Sequence, residues 1–135
     1  MSEVHYLDTS TCIYALKGTH PTIGRELARR SPRDIRVPSI VQGELLYGAE
    51  KSEQRTKVLE TLARFLDAFE IVPFCTRSAP HYARVRADLE RRGTPIGPND
   101  LIIAATVLAN NGVLVTHNVK EFGRVKGLRI ADWTS

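Results

Sequence analysis

The chain has 135 residues, 42% hydrophobic and 25% charged, which is the size and make-up of one globular domain around one core. No run approaches the ~20 apolar residues of a membrane-spanning helix, and the opening MSEVHYLD lacks the basic-then-apolar pattern of a signal peptide, so a single cytoplasmic domain over 1–135 is expected. The net charge of +4, from 19 Lys+Arg against 15 Asp+Glu, favours a polyanionic partner only mildly, and Cys12 and Cys75, outside any CxxC or Cys/His cluster, argue against a zinc site.

The first apolar run, Val4 to Leu7, reads as a strand and ends abruptly in Asp8. A helix follows from about Ser10 to Lys17 and stops at Gly18; Pro21 starts a second helix running to Arg30. Ile35 to Val37 is a short strand stopped by Pro38, and Ser39 looks like the N-cap of a helix through about Lys51. Ser52 opens another amphipathic stretch to Phe69, with Val58, Leu59, Leu62, Phe65, Leu66 and Phe69 at helical spacing. "EIVPF" is a strand ending at Pro73, and Thr76 to Arg92 is again helical, closed by Gly93. After the loop "GTPIGPND", Asn99 caps the helix "DLIIAATVLANN", which is apolar nearly all round and therefore expected to be buried; Gly112 ends it. "VLVT", Val113 to Thr116, and "LRI", Leu128 to Ile130, are the last strands. Strands apolar on both faces, alternating with helices, predict an α/β sandwich with a mainly parallel central sheet covered on both sides.

In such sheets sites form beyond the carboxyl ends of the strands. Asp8 stands at one such end, and Thr116, His117 and Asn118 at another. Asp100 opens the helix that leads into "VLVT", and Glu44 sits in "QGELLYG" beside apolar Leu45 and Leu46. Each acid has an ordinary structural reading: Asp8 as an N-cap, Asp100 as a first-turn partner of the helix dipole, Glu44 as a solvated helix residue. Together they describe something else. Carboxylates held close repel one another unless a cation joins them, and an all-oxygen set suits Mg²⁺, which keeps several waters and works on phosphates. Phosphodiester hydrolysis by metal-activated water is the chemistry that needs such a set.

Four stretches in order, "YLDTSTCIYALK", "VPSIVQGELLYGAEKS", "IGPNDLIIAA" and "LVTHNVKEFGRVKGLRIADW", resemble the PIN-domain nucleases, and within them the VapC-type toxins of prokaryotic toxin–antitoxin pairs. The resemblance runs from about Tyr6 to Trp133. It implies a PIN-like three-layer sandwich and a Mg²⁺-dependent endoribonuclease, with Mn²⁺ as a substitute. Asp8, Glu44 and Asp100 match the family acids and are the implied metal ligands, Asn118 matches the fourth catalytic position, and Ser10 and Thr116 match its supporting hydroxyls. Asparagine at 118 departs from the four-acid version of the motif and should weaken a second metal site more than the first.

An acidic pocket rimmed by cations suits a splayed RNA loop. Arg91 and Arg92, upstream of Asp100, and Lys120 and Arg124, after Asn118, are the expected RNA contacts. His117 reads as an exposed bystander, and Trp133 as an anchor of the C-terminus against the core. The resemblance further implies a VapB-type antitoxin that covers the acids and carries the DNA contacts, and a homodimer, for which Ile40, Leu46, Tyr47, Leu59 and Leu62 are candidates unless they are core. "CIYALK" with "LLYGAEKS" is closest to VapC members that cut initiator tRNA. Two other readings compete. A catalytically degenerate RNA-binding or scaffold module would lack metal-dependent cleavage. An aspartyl-phosphate enzyme of the haloacid dehalogenase type would want a second Asp where Ser10 stands, and receiver domains would want a Lys after a late strand.

Overall fold

The computed structural model describes residues 3–135. Five strands form one sheet in the order β3-β2-β1-β4-β5: β1 (His5–Leu7), β2 (Ile35–Pro38), β3 (Glu70–Val72), β4 (Val113–Val115) and β5 (Arg129–Ala131). Every pairing is parallel. Parallel neighbours need crossover connections, and helices provide them: α1 (Thr9–Lys17), α2 (Pro21–Arg29), α3 (Ser39–Glu50), α4 (Arg55–Leu66), α5 (Ala79–Arg91), α6 (Pro98–Ala109) and α7 (Val119–Phe122). The sandwich expected from the alternating pattern is therefore present, with an all-parallel sheet.

The core is built on the central strands. Tyr6, Leu7, Ile35, Val37, Leu114 and Val115 are essentially inaccessible, as are Ile23 and Ile103 from the covering helices. Burying each such side chain stabilises the fold by about 1.5–3 kcal/mol. The apolar α6 is buried over Leu101 and from Ile103 to Val107, as its composition predicts. Trp133 seals the end of the sheet. Its ring is 5.3 Å from that of His5, its carbonyl accepts from Thr22 Oγ1 at 2.6 Å, and Arg30 lies over its face at 4.6 Å.

Several boundaries differ from the sequence reading, each for a local reason. The helical stretch from Ser52 begins only at Arg55, because Ser52 N–H bonds back to Ala49 O and Ser52 Oγ accepts from Gln54 N–H, making a turn. It ends at Leu66, and Phe69 N–H bonds to Leu66 O in the turn before β3. Thr76 to Ser78 likewise form a turn, with Ser78 Oγ accepting from Cys75 N–H, so α5 starts at Ala79. Asn99 is not a cap: α6 begins at Pro98, with Gly97 in the cap position. Gly112 does not supply the left-handed residue that ends α6. Asn111 does, at φ 53°, and Gly112 is needed for room beneath the Tyr6 ring.

Candidate active site

The pairing of Leu7 with Val115 puts the next residues of β1 and β4 side by side. Asp8 N–H continues the ladder onto Val115 O at 3.1 Å. Asp8 is the N-cap of α1: Oδ1 accepts from Thr11 N–H at 2.8 Å. The carboxylate is only 5% exposed and also accepts from the buried Thr116 hydroxyl. Burial pushes its pKa up, against the bonds from Thr116 and Thr11, and the charge of Glu44 adds to the rise.

Glu44 arrives from α3, half-buried. Its Oε1 accepts from Thr9 Oγ1 at 2.5 Å and its Oε2 from Asn99 Nδ2 at 3.2 Å. The hydroxyl that reaches an acid from the start of α1 is thus Thr9; Ser10, expected in that role, is exposed. Buried Thr116 stands beside Asp8, and its Oγ1 accepts from the backbone N–H of Asn118 at 2.9 Å.

Asp100 sits in the first turn of α6 and is raised to about 7, first by burial, then by the hydrogen bond and charge of Glu121, then by the charges of Glu44 and Asp8. Glu121, on α7, is the acid that the sequence reading missed. A methyl placed on Gly97 would lie 3.6 Å from Asp100 Oδ2 and 3.9 Å from Glu121 Oε1, so both carboxylates flank that glycine. Glu121 accepts from Gly97 N–H at 2.9 Å and from Asn118 Nδ2 at 2.6 Å. Burial pushes Glu121 up, but these bonds and the one from Asp100 outweigh it and leave its pKa below the ordinary value. The surroundings thus favour the neutral form at Asp100 and the charged form at Glu121. Asn118, expected as the fourth catalytic position, is exposed and spends its amide on Glu121. The available signal was the carboxylate in "VKEF", three residues after Asn118.

Among the described residues no three His, Cys, Asp or Glu side chains stand close enough together to hold a metal ion as they are placed. The donors around the Asp8–Asp100 edge are all oxygen, Asp8 and Asp100 hold their protons more strongly than usual, first through burial and then through nearby like charges, and the arrangement is open. This fits a hard divalent ion that keeps much of its water. Asp8, Glu44, Asp100 and Glu121 are the residues that would hold it.

A carboxyl with a raised native pKa binds its proton more tightly folded than unfolded. It therefore costs stability as pH rises from the unfolded value of 3.8 towards about 7, and the cost persists above. We expect the metal-free protein to lose stability across that window, and Asp100→Asn to flatten the dependence. The difference should be on the order of 1–2 kcal/mol once solvent screening is allowed for. Thermal unfolding in EDTA at pH 4.5 and 7.5 measures it; parallel pH profiles for the two proteins would refute it.

The cations divide into two groups. Arg91 and Lys120 are exposed, and Arg91 lines an open groove of about 600 Å³ with His81, Arg84, Asp88 and Lys126. Arg92 and Arg124 are engaged within the molecule: Arg92 with Asp88 and the Arg124 carbonyl, Arg124 with Pro95 O. His117 is exposed, with Nδ1 3.1 Å from both Asp132 Oδ2 and Thr134 Oγ1. A second groove, of about 540 Å³, starts at Glu44 and is walled by Ile13, Leu16, Leu45, Ala49 and Val58. Leu62 is core, Ile40 and Leu59 are half-buried, and Leu46 and Tyr47 are exposed.

The PIN domain family model matches residues 5–128. The tRNA(fMet)-specific endonuclease VapC of Salmonella typhimurium is 39% identical over 127 residues, covering 94% of this chain and 96% of that protein. Ribonuclease VapC2 of Rickettsia felis is 38% identical over 133 residues, covering 96% and 98%. Among solved structures, DNA-bound VapBC from Salmonella typhimurium superposes with a TM-score of 0.92 at 37% identity, over 98% of this chain and 99% of that one. VapBC2 from Rickettsia felis bound to a promoter DNA fragment does so at 0.88 and 34%, over 96% and 98%.

Proposed function

The chain belongs to the PIN-domain family, among the VapC-type ribonucleases, and we propose that it is the toxin of a toxin–antitoxin pair that cuts tRNA with Mg²⁺ or Mn²⁺. The observation that carries this reading is the meeting of Asp8 and Glu44 from the first third of the chain with Asp100 and Glu121 from the last, at one edge of the sheet. A bound divalent ion supplies charge that stabilises the phosphate and acidifies an attacking water. The chain's own residues hold the geometry: Thr9 and Asn99 fix Glu44, Thr11 and Thr116 fix Asp8, and Gly97 and Asn118 fix Glu121.

The name of the Salmonella typhimurium relative points to initiator tRNA as the first substrate to try. The test is cleavage of initiator tRNA beside a mixed tRNA pool, with Mg²⁺, Mn²⁺ or EDTA. Cuts that appear with either ion and vanish in EDTA support the reading. RNA bound without cleavage in any condition would turn it into the degenerate binding module.

Arg91 and Lys120 are the RNA contacts that the geometry leaves free for phosphate, and Arg84 and Lys126 extend the basic groove beside Arg91. Arg91→Glu is expected to weaken RNA binding and to reduce the slope of log K against log salt by about one or more. Filter binding at several salt concentrations measures it, and an unchanged slope would count against the groove.

The antitoxin follows from the apolar groove that runs up to Glu44. An amphipathic helix laid there would bury its apolar face on Ile13, Leu16 and Val58 and bring a basic side chain to the acids. DNA contact is assigned to that partner; the similar VapBC complexes are bound to DNA. A homodimer would use exposed apolar side chains such as Leu46 and Tyr47.

A further inference from the structure

We propose that Arg92 and Arg124 are positioning residues for the acid site, clamping the loop before Asp100 to α7, instead of contacts for RNA. The inference rests on the metal-nuclease reading above. The two halves of the acid pair come from segments with little structure of their own. Asp100 follows the irregular loop from Gly93 to Gly97, which begins with a left-handed glycine at φ 70° and has Ile96 as its buried apolar residue. Glu121 stands on a helix of four residues, far too short to hold itself in water. Phe122 and Val125 bury one side of that short segment in the core. They fix its depth and leave its tilt against the loop to polar contacts.

Those contacts form a chain of hydrogen bonds. Asp88 on α5 accepts from Arg92 Nε at 3.0 Å and Nη2 at 2.7 Å, and Lys126 Nζ stands 3.6 Å away. The same Arg92 Nη2 donates to the Arg124 carbonyl, just past α7. Arg124 Nη1 donates to Pro95 O at 3.2 Å, in the loop. Two residues further, Gly97 N–H donates to Glu121 Oε1 at 2.9 Å. The loop and α7 are thus joined at both ends of a short span, by Arg124 to Pro95 and by Glu121 to Gly97. Release of the first lets the second rotate. The bonds to a carboxylate and two carbonyls hold each guanidinium fork in one orientation, facing the loop and α7.

Exposed ion pairs contribute little to stability, whereas groups that orient metal ligands typically govern affinity by 10- to 100-fold. The test is Mn²⁺ titration calorimetry on the full-length protein. Arg124→Ala and Arg92→Ala are each expected to raise the Mn²⁺ dissociation constant about tenfold, with melting temperatures in EDTA near native. The double variant should be little worse than either single one, because the two act in one chain of bonds. Arg124→Lys should recover part of the loss, having one donor for Pro95 O. Arg55→Ala, which removes an exposed ion pair with Glu50 away from the loop and α7, should leave Mn²⁺ affinity unchanged. Unchanged Mn²⁺ affinity in Arg92→Ala and Arg124→Ala, with weaker RNA binding and a smaller salt slope, would overturn the clamp and leave the metal site standing. A native protein that takes up no Mn²⁺ would overturn the metal reading itself, and the clamp with it.

Discussion

Replacing Asp8 by Asn should lower Mg²⁺-supported RNA cleavage by roughly three orders of magnitude while leaving the fold at least as stable as before. The two halves of that result have separate causes. Asn is as good an N-cap as Asp, so the bond to Thr11 N–H that starts α1 survives the change. The buried carboxylate, raised by desolvation, disappears, and with it a repulsion towards Glu44. Loss of an anionic oxygen from the ion's surroundings removes several kcal/mol of charge stabilisation, and each 1.36 kcal/mol is tenfold in rate. Cleavage of a tRNA pool and a thermal melt in EDTA read the two halves. Equal cleavage by native and Asp8→Asn protein would mean that Asp8 is only a cap.

Gly112→Ala should be among the most damaging single changes outside the site, costing about 3 kcal/mol. A β-carbon there would overlap the ring of Tyr6 and lie 3.2 Å from Val4 O. Tyr6 is fully buried on the central strand and has no room to retreat. For a domain of this size the melting temperature should fall by roughly 10 °C. Asn111→Gly, at the position that actually holds the positive φ, should by contrast be neutral or mildly stabilising. A loss below 0.5 kcal/mol for Gly112→Ala in urea unfolding would refute the packing account.

Much of the architecture was legible because apolar strands and capped helices are local signals. Asp8 at the end of Val4 to Leu7, and Asp100 at the opening of a buried helix, could be placed on one edge once a parallel sheet was assumed. The order of strands could not be read locally, since the pairing of β1 with both β2 and β4 joins segments about 30 and 110 residues apart. Glu121 was hidden for a related reason. Its segment is too short for any helical period to register, and its importance lies in meeting Asp100 and Gly97, which the sequence alone does not bring near it. Arg92 and Arg124 illustrate the limit of charge clusters. Composition says that cations are present, but only the fold says whether carbonyls and Asp88 have already claimed them.

The position of β1 at the middle of the sheet has a bearing on how the protein is made. The first strand precedes α1 and Glu44 in the chain, but its second neighbour, β4, begins only at Val113, and Trp133 follows β5. A growing chain can assemble β1, β2 and β3 on one side, yet half of the acid set is still missing until α6 and α7 have been translated. Asp8 and Glu44 therefore stand without Asp100 and Glu121 until the segment from Pro98 to Phe122 has folded onto β1.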